Sequence, residues 1–165
     1  MQQEHGGRDQ MLQQPMGKHY VMLGLSFIGM LVLMYLIMFS MIWSGAQFVQ
    51  NINFFYMAVM MATPMLPMMP LMMPSMYSDR RWNGVVYVGS VLLFVLAFAG
   101  IRGQTLVGDK QFVRSMIPHH SGALLMCNRS SLRDAEVREL CFKPGGIVES
   151  QTQEIAQMER ILDRM

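Results

Sequence analysis

Two imidazoles, two thioethers and a thiol fall within twelve residues near the carboxyl end: Met116, His119, His120, Met126 and Cys127. Imidazole, thioether and thiolate are the donors that suit a soft, thiophilic ion such as Cu(I). On a helix, Met116 lies three residues before His119 and four before His120, while Met126 and Cys127 lie seven after His119 and His120. Such spacings put all five on one broad face. The chemistry expected is therefore soft-metal binding, with Cu(I) first and Ag(I) as its competitor. Zinc and iron should bind less well, because the set is rich in thioethers and poor in carboxylates. A histidine acting as a general base would need a nucleophile or a cofactor fingerprint beside it. The chain offers neither, so it is not read as an enzyme. The plain alternative is that the methionines fill a core and the histidines are ordinary bonded polar groups.

The surrounding pattern builds the frame for these residues. Gly100, Gly103 and Gly108 mark a flexible approach, and Asp109 is a candidate N-cap for a helix reaching Cys127 or a little beyond. Pro118 should kink this helix or start a fresh one. The stretch Ser130-Ser131-Leu132-Arg133-Asp134 reads as a turn carrying a new cap. A second helix then starts near Ala135, with Val137, Leu140 and Cys141 at helical spacing. Lys143-Pro144-Gly145-Gly146 interrupts it, and a last helix runs from about Ile147 to Leu162. Residues 109–165 thus form a helical hairpin with a broken second arm. That arm carries Gln151, Glu154 and Met158 on one face, spaced three and four. Folding the arms together brings Met158 or Glu154 towards the two histidines. Met158 is then a fifth candidate ligand, with Gln151 and Glu154 as supporting partners behind the ligands. Cys127 and Cys141 could close a disulfide across the turn or serve as accessory thiolate ligands.

Upstream the chain is built for lipid. Only 15% of its 165 residues are charged, against about 25% in a soluble domain. Between Lys18 and Asp79 the only ionisable group among Asp, Glu, Lys, Arg and His is His19. Three apolar segments are expected, at about 20–43, 54–76 and 85–101, each near or above the roughly 17 residues needed to cross. They make a transmembrane unit over residues 19–102, preceded by a polar, disordered segment at 1–18. Tyr20, Trp43, Tyr77, Trp82 and Tyr87 fall near the boundaries, where interfacial aromatics belong. Arg8 and Lys18 flank the amino terminus, Arg80 and Arg81 lie in the second connection, and the first connection has no basic residue. The positive-inside rule then sets the amino terminus in the cytoplasm and the hairpin outside, in a bacterial-type inner membrane. Arg102, Lys110 and Arg114 pull mildly the other way. A net charge of +2 with scattered basic residues gives nucleic-acid binding no support.

The second span is unusual. Pro64, Pro67, Pro70 and Pro74 alternate with Met65, Met68, Met69, Met72 and Met73, in a wider run that includes Met57, Met60, Met61 and Met76. Prolines every three or four residues leave carbonyls unpaired near one face, and lipid cannot satisfy them. That face should be buried against protein or line a wet cavity. The methionines could pass Cu(I), but flexible packing around kinked helices is the favoured reading.

The run from Asp109 through Met116-Ile117-Pro118-His119-His120 to Met126-Cys127, followed by Leu140-Cys141 and Ser150-Gln151 to Met158, resembles the domain of unknown function 305. The membrane part is similar to a branch with three spans before that domain. The resemblance implies a ferritin-like helical fold and, from soluble members linked to copper tolerance, copper binding through Met116, His119, His120 and Met126, with Met158 facing them. Two features depart from the pattern. Phe142-Lys143-Pro144-Gly145-Gly146 stands where members usually have two residues, which turns the last arm by about 300° unless a loop absorbs it. The Pro-Met repeat replaces a more ordinary apolar helix. Longer members carry the His-His motif twice and build a four-helix bundle. This chain has one copy, half of a bundle, so a homodimer or higher oligomer is expected to complete it.

The fold class expected is all-α: three transmembrane helices followed by a ferritin-like hairpin. The function expected is copper binding at the outer membrane surface for buffering or tolerance. A helical interaction module without metal and a Met-lined copper transporter are the alternatives.

Overall fold

The computed structural model describes residues 16–165, and among them every regular element is helical. The helices are α1 (Met16–Ile37), α2 (Ile52–Ala62), α3 (Met65–Met72), α4 (Arg80–Arg102), α5 (Asp109–Arg129), α6 (Ala135–Phe142) and α7 (Ile147–Asp163), with 3-10 turns at Met38–Met41 and Gly45–Gln47. The expectation for residues 1–18 lies outside the described residues as far as residue 15; Met16, Gly17 and Lys18 belong to α1.

Among the described residues three helical stretches are long and apolar enough to cross a membrane: Gly17–Met41, Ile52–Met72 and Arg80–Arg102. Two boundaries differ from the sequence reading by four or five residues, the others by three or fewer. The third stretch starts five residues earlier than about 85, because the Asp79 carboxylate accepts from the backbone N–H of Arg81 at 2.8 Å and of Trp82 at 3.3 Å. A helix start is stabilised there, and Arg80 and Arg81 are drawn into its first turn. The second stretch is not one helix. It breaks at Thr63 and Pro64 and stops at Met72, four residues short of 76, since Pro74 has no N–H for the next rung. At the break, the Thr63 hydroxyl donates to the Val59 carbonyl at 2.6 Å.

The chain divides into two compact units. The first holds the described residues up to Met34 with Tyr56–Gly100. Small buried residues, Ala58, Ala62 and Ala97, let its helices approach closely. Gly100 suits the same close approach: a Cβ there would lie 3.0 Å from the Tyr56 ring, which would have to give way by a few tenths of an ångström. At one end the Tyr20 hydroxyl donates to Asn83 Oδ1 at 2.9 Å, and Asn83 Nδ2 donates to the Tyr77 carbonyl at 2.8 Å. Of the four prolines only Pro70 is buried; Pro64 and Pro67 line a shallow, largely apolar groove with Ser90 and Phe94. Of a face expected to be buried against protein or to line a wet cavity, Pro70 is buried, Pro67 is half-buried, and Pro64 and Pro74 are exposed.

The second unit holds Tyr35–Phe55 with Ile101–Met165. The connection after α1 therefore belongs with the hairpin rather than with the spans it joins. Its aromatics cluster around buried Phe39, whose ring centroid lies 4.1 Å from that of Phe48 and 5.0 Å from that of Phe54. Helices α5 and α7 pack lengthwise through Val113, Ile117, Leu124 and Ile155, all buried. The hairpin divides where the sequence punctuates it: Asp134 caps α6 by accepting from the Val137 N–H at 3.0 Å, and the 143–146 loop separates α6 from α7. At the other end Gly108, not Asp109, is the N-cap of α5; Asp109 falls in the first turn, where a carboxylate still favours the helix dipole.

Candidate functional site

Helix α5 runs without interruption through Pro118. It is a single 21-residue helix, so the proline neither ends it nor starts a new one. The missing N–H costs one rung, to the Arg114 carbonyl, immediately before the two histidines. Successive helical residues diverge by about 100°, and His119 and His120 accordingly face different surroundings. His119 is exposed. It shares its side of α5 with Phe112 and Met126, seven residues before and after, which are 54% and 52% exposed. The His120 side chain points to α7 and is only 12% accessible. The two ring centroids stand 6.0 Å apart, with 60° between the planes.

His120 Nδ1 lies 2.9 Å from Glu154 Oε2, an ion-pair distance that falls off the axis of an aligned hydrogen bond. Burial is the main cause holding this imidazole below the ordinary histidine value; the Glu154 carboxylate pulls it up and His119 lowers it again. The neutral ring is thus favoured near pH 7. A carboxylate beside Nδ1 favours the proton on that nitrogen, which would leave the lone pair on Nε2, the arrangement in which a carboxylate orients a ligating histidine.

The remaining candidates are distributed as follows. Met116 is half-buried on α5; Met158 and Gln151 are half-buried on α7 at one-turn intervals on either side of Glu154. Cys127 and Cys141 are joined as a disulfide with 5.7 Å between their Cα atoms, and in that state neither sulfur is a thiolate donor. Among the described residues no three side chains drawn from His, Cys, Asp and Glu cluster to hold a metal. A soft ion here would have to rely on thioethers beside imidazole, which is the chemistry of Met116, Met126 and Met158.

The five-residue segment 142–146 is absorbed locally: Phe142 ends α6 and 143–146 form the loop. Gly145 takes φ +73° and its N–H donates to Glu149 Oε2 at 2.8 Å. A Cβ on Gly146 would lie 2.8 Å from the Lys143 carbonyl oxygen, so the return into α7 requires glycine. Because the loop takes up the extra residues, Ile155 is buried and Glu154 meets His120.

One part of the site was not anticipated. The first connection is fastened to α5 beside the histidines. The hydroxyl of Ser121, fully buried at 0% exposure, accepts from the Trp43 N–H at 2.6 Å and donates to Gln47 Oε1 at 2.6 Å. Gln47 Oε1 also accepts from the Ser44 N–H at 3.1 Å, half of a capping box. The Met41 carbonyl oxygen comes within 3.6 Å of where a Gly122 Cβ would stand. Farther along, Asn53 Nδ2 donates to Ser115 Oγ at 3.2 Å, the Ile52 N–H donates to Gln111 Oε1 at 3.3 Å, and the Arg129 guanidinium lies 5.6 Å from the Trp43 ring centroid. The signal available in sequence was Ser44-Gly45-Ala46-Gln47, a capping-box pattern, facing the small residues Ser115, Ser121 and Gly122.

Residues 98–162 match the family model described as Domain of unknown function (DUF305). An uncharacterised protein of Acanthamoeba polyphaga mimivirus is 32% identical over 117 residues, which cover 68% of this chain and 72% of that protein. No solved structure matches the chain.

Proposed function

Since the chain belongs to the family of the domain of unknown function 305, we propose that it is a membrane-anchored binder of soft metal ions, Cu(I) first and Ag(I) as competitor. It acts as a buffer or tolerance factor rather than a catalyst. The observation that carries this reading is the contact between His120 Nδ1 and Glu154 at 2.9 Å: it leaves Nε2 of a neutral imidazole free, next to His119 and within a helix pair that also bears Met116, Met126 and Met158. His119 and His120 are the imidazole ligands, these methionines supply the thioethers, and Glu154 and Gln151 stand behind them. The ferritin-like character of the hairpin belongs to this proposal, as does a dimer that completes the bundle. Exposed Val137, Leu140 and Phe142 on α6 give a second copy apolar surface to cover.

The proposed orientation sets the hairpin on the outer face of the membrane. Three spans with Arg80 and Arg81 inside support it, and so does the disulfide, which belongs to an oxidising compartment. Hydrogen bonds between the first connection and α5 fit that count, since both then lie on one side.

The test is a competitive Cu(I) titration of the full chain in detergent, with ascorbate as reductant so that the disulfide survives. Submicromolar binding that is lost in His119→Ala/His120→Ala supports the reading; binding unchanged in that variant sinks it. A second reading draws on exposed Phe112 and Met126 on either side of His119: the same face could dock a partner helix without metal. It expects the double variant to behave as wild type. The Met-lined transport reading has less support, because Met57, Met61, Met68, Met72 and Met73 are exposed on the outside of their unit.

A further inference from the structure

We infer that the connection between the first two spans is a working part of the histidine site: Gln47 and the Trp43 backbone, acting through Ser121, are positioning groups that set the direction of His119 and His120. The inference rests on the metal-binding reading above and adds residues about seventy positions away in sequence.

The need for such groups comes from Pro118. It removes the rung to Arg114 directly before the histidines, so the backbone ladder is weakest where their direction must be set. Helix α7 contacts the half-helix after Pro118 on one side, through Leu124 and the His120–Glu154 pair. The opposite side is met by the connection. Ser121 follows the two histidines directly, and its hydroxyl does not make the bond to its own helix that a mid-helix serine often makes. It is bonded instead to Trp43 and Gln47, both at 2.6 Å, and Gln47 is itself held by the N–H of Ser44. Rotating the half-helix about its axis would break these bonds together and carry both imidazoles away from their present directions.

Gln47 takes part in these bonds only through Oε1, as an acceptor, which gives a discriminating pair of variants. Gln47→Leu removes the acceptor and leaves the Ser121 hydroxyl with the Trp43 N–H but without an acceptor for its own proton; Gln47→Glu retains an acceptor at that point. Both are compared with wild type as full chains in detergent, by Cu(I) affinity, by the number of imidazole ligands in X-ray absorption, and by amide exchange of residues 41–53. Gln47→Leu should weaken Cu(I) binding by about fivefold or more, the equivalent of one net hydrogen bond, and lower the imidazole count. Gln47→Glu should restore both, and Ser121→Ala should reproduce the loss. Wild-type affinity and ligand count in Gln47→Leu, with faster exchange in 41–53, would overturn the inference and leave the metal reading intact. Equal damage in Gln47→Leu and Gln47→Glu would overturn it too, since shape rather than the acceptor would then matter. A wild-type chain that takes no Cu(I) overturns the metal reading itself and this positioning role with it, a result distinct from either of the others.

Discussion

Proline is treated in opposite ways in two regions of this molecule. In α5, Pro118 sits inside an unbroken helix and is itself buried. In the second span, Pro64 marks a break between α2 and α3, and the helix is spent by Met72. Each proline deletes the same hydrogen bond, so the difference lies in what surrounds it. Pro118 is alone, and its helix is gripped by α7, by the first connection and by a disulfide at Cys127. The prolines of the second span recur every three or four residues among flexible methionines; of these only Pro70 is buried, and it, like Pro118, stays inside its helix. A helix survives a missing rung when tertiary contacts on several sides fix the turns before and after it.

The comparison can be broken by loosening the grip on α5. Ile117, fully buried beside Pro118, should be the most costly single truncation: Ile117→Ala is expected to lose about 2–5 kcal/mol, with amide exchange accelerating first around residues 114–122. If the loss is small and α5 exchanges as before, the surroundings are not what keeps Pro118 helical. Next in size is the disulfide. Cys141 is the one buried side chain of α6, and the bridge closes a loop over a sequence separation of 14. Replacing both cysteines by serine should cost about 3 kcal/mol, read by denaturant unfolding, with exchange rising over 135–146.

Exchanging the prolines themselves sharpens the contrast. Pro64→Ala supplies an N–H to the Met60 carbonyl and should slow exchange across 60–66 as α2 and α3 approach one helix. Pro118→Ala should leave the bounds of α5 unchanged and alter stability by about 1 kcal/mol or less, because its neighbours already hold the turn. The smallest effect concerns pH. His120 is held below its ordinary value of 6.5 in the fold. As pH falls below about 6.5 the unfolded chain takes up a proton that the folded chain resists, so the metal-free protein loses stability towards acid and regains it towards neutrality. His120→Gln should flatten that slope in unfolding curves recorded between pH 5 and about 7.5.

Much of the architecture was legible from local pattern. The apolar stretches needed only length and the absence of charge, and the hairpin was divided correctly by Asp134 and by Lys143-Pro144-Gly145-Gly146. The third span begins ahead of its apolar run, because the Asp79 carboxylate makes the charged Arg80 and Arg81 the first turn of a helix. The docking of residues 41–53 on α5 was not legible. Its members are neutral, their one local pattern is the Ser44–Gln47 capping box, and they meet partners 74 and 78 residues away. No periodicity reports a contact of that kind.

The sequence by itself determined which donors the chain possesses, that they lie on a helical hairpin, and that apolar helices precede it. These follow from side-chain chemistry and from repeats of three and four residues, which act within a few turns of backbone. Only the tertiary structure decided that His120 turns inward to Glu154 while His119 faces outward with Met126, and that the first connection joins the hairpin. Those outcomes depend on how α5 is rotated about its own axis. That rotation is set by side chains packed against it from distant parts of the chain, not by the order of residues along the helix.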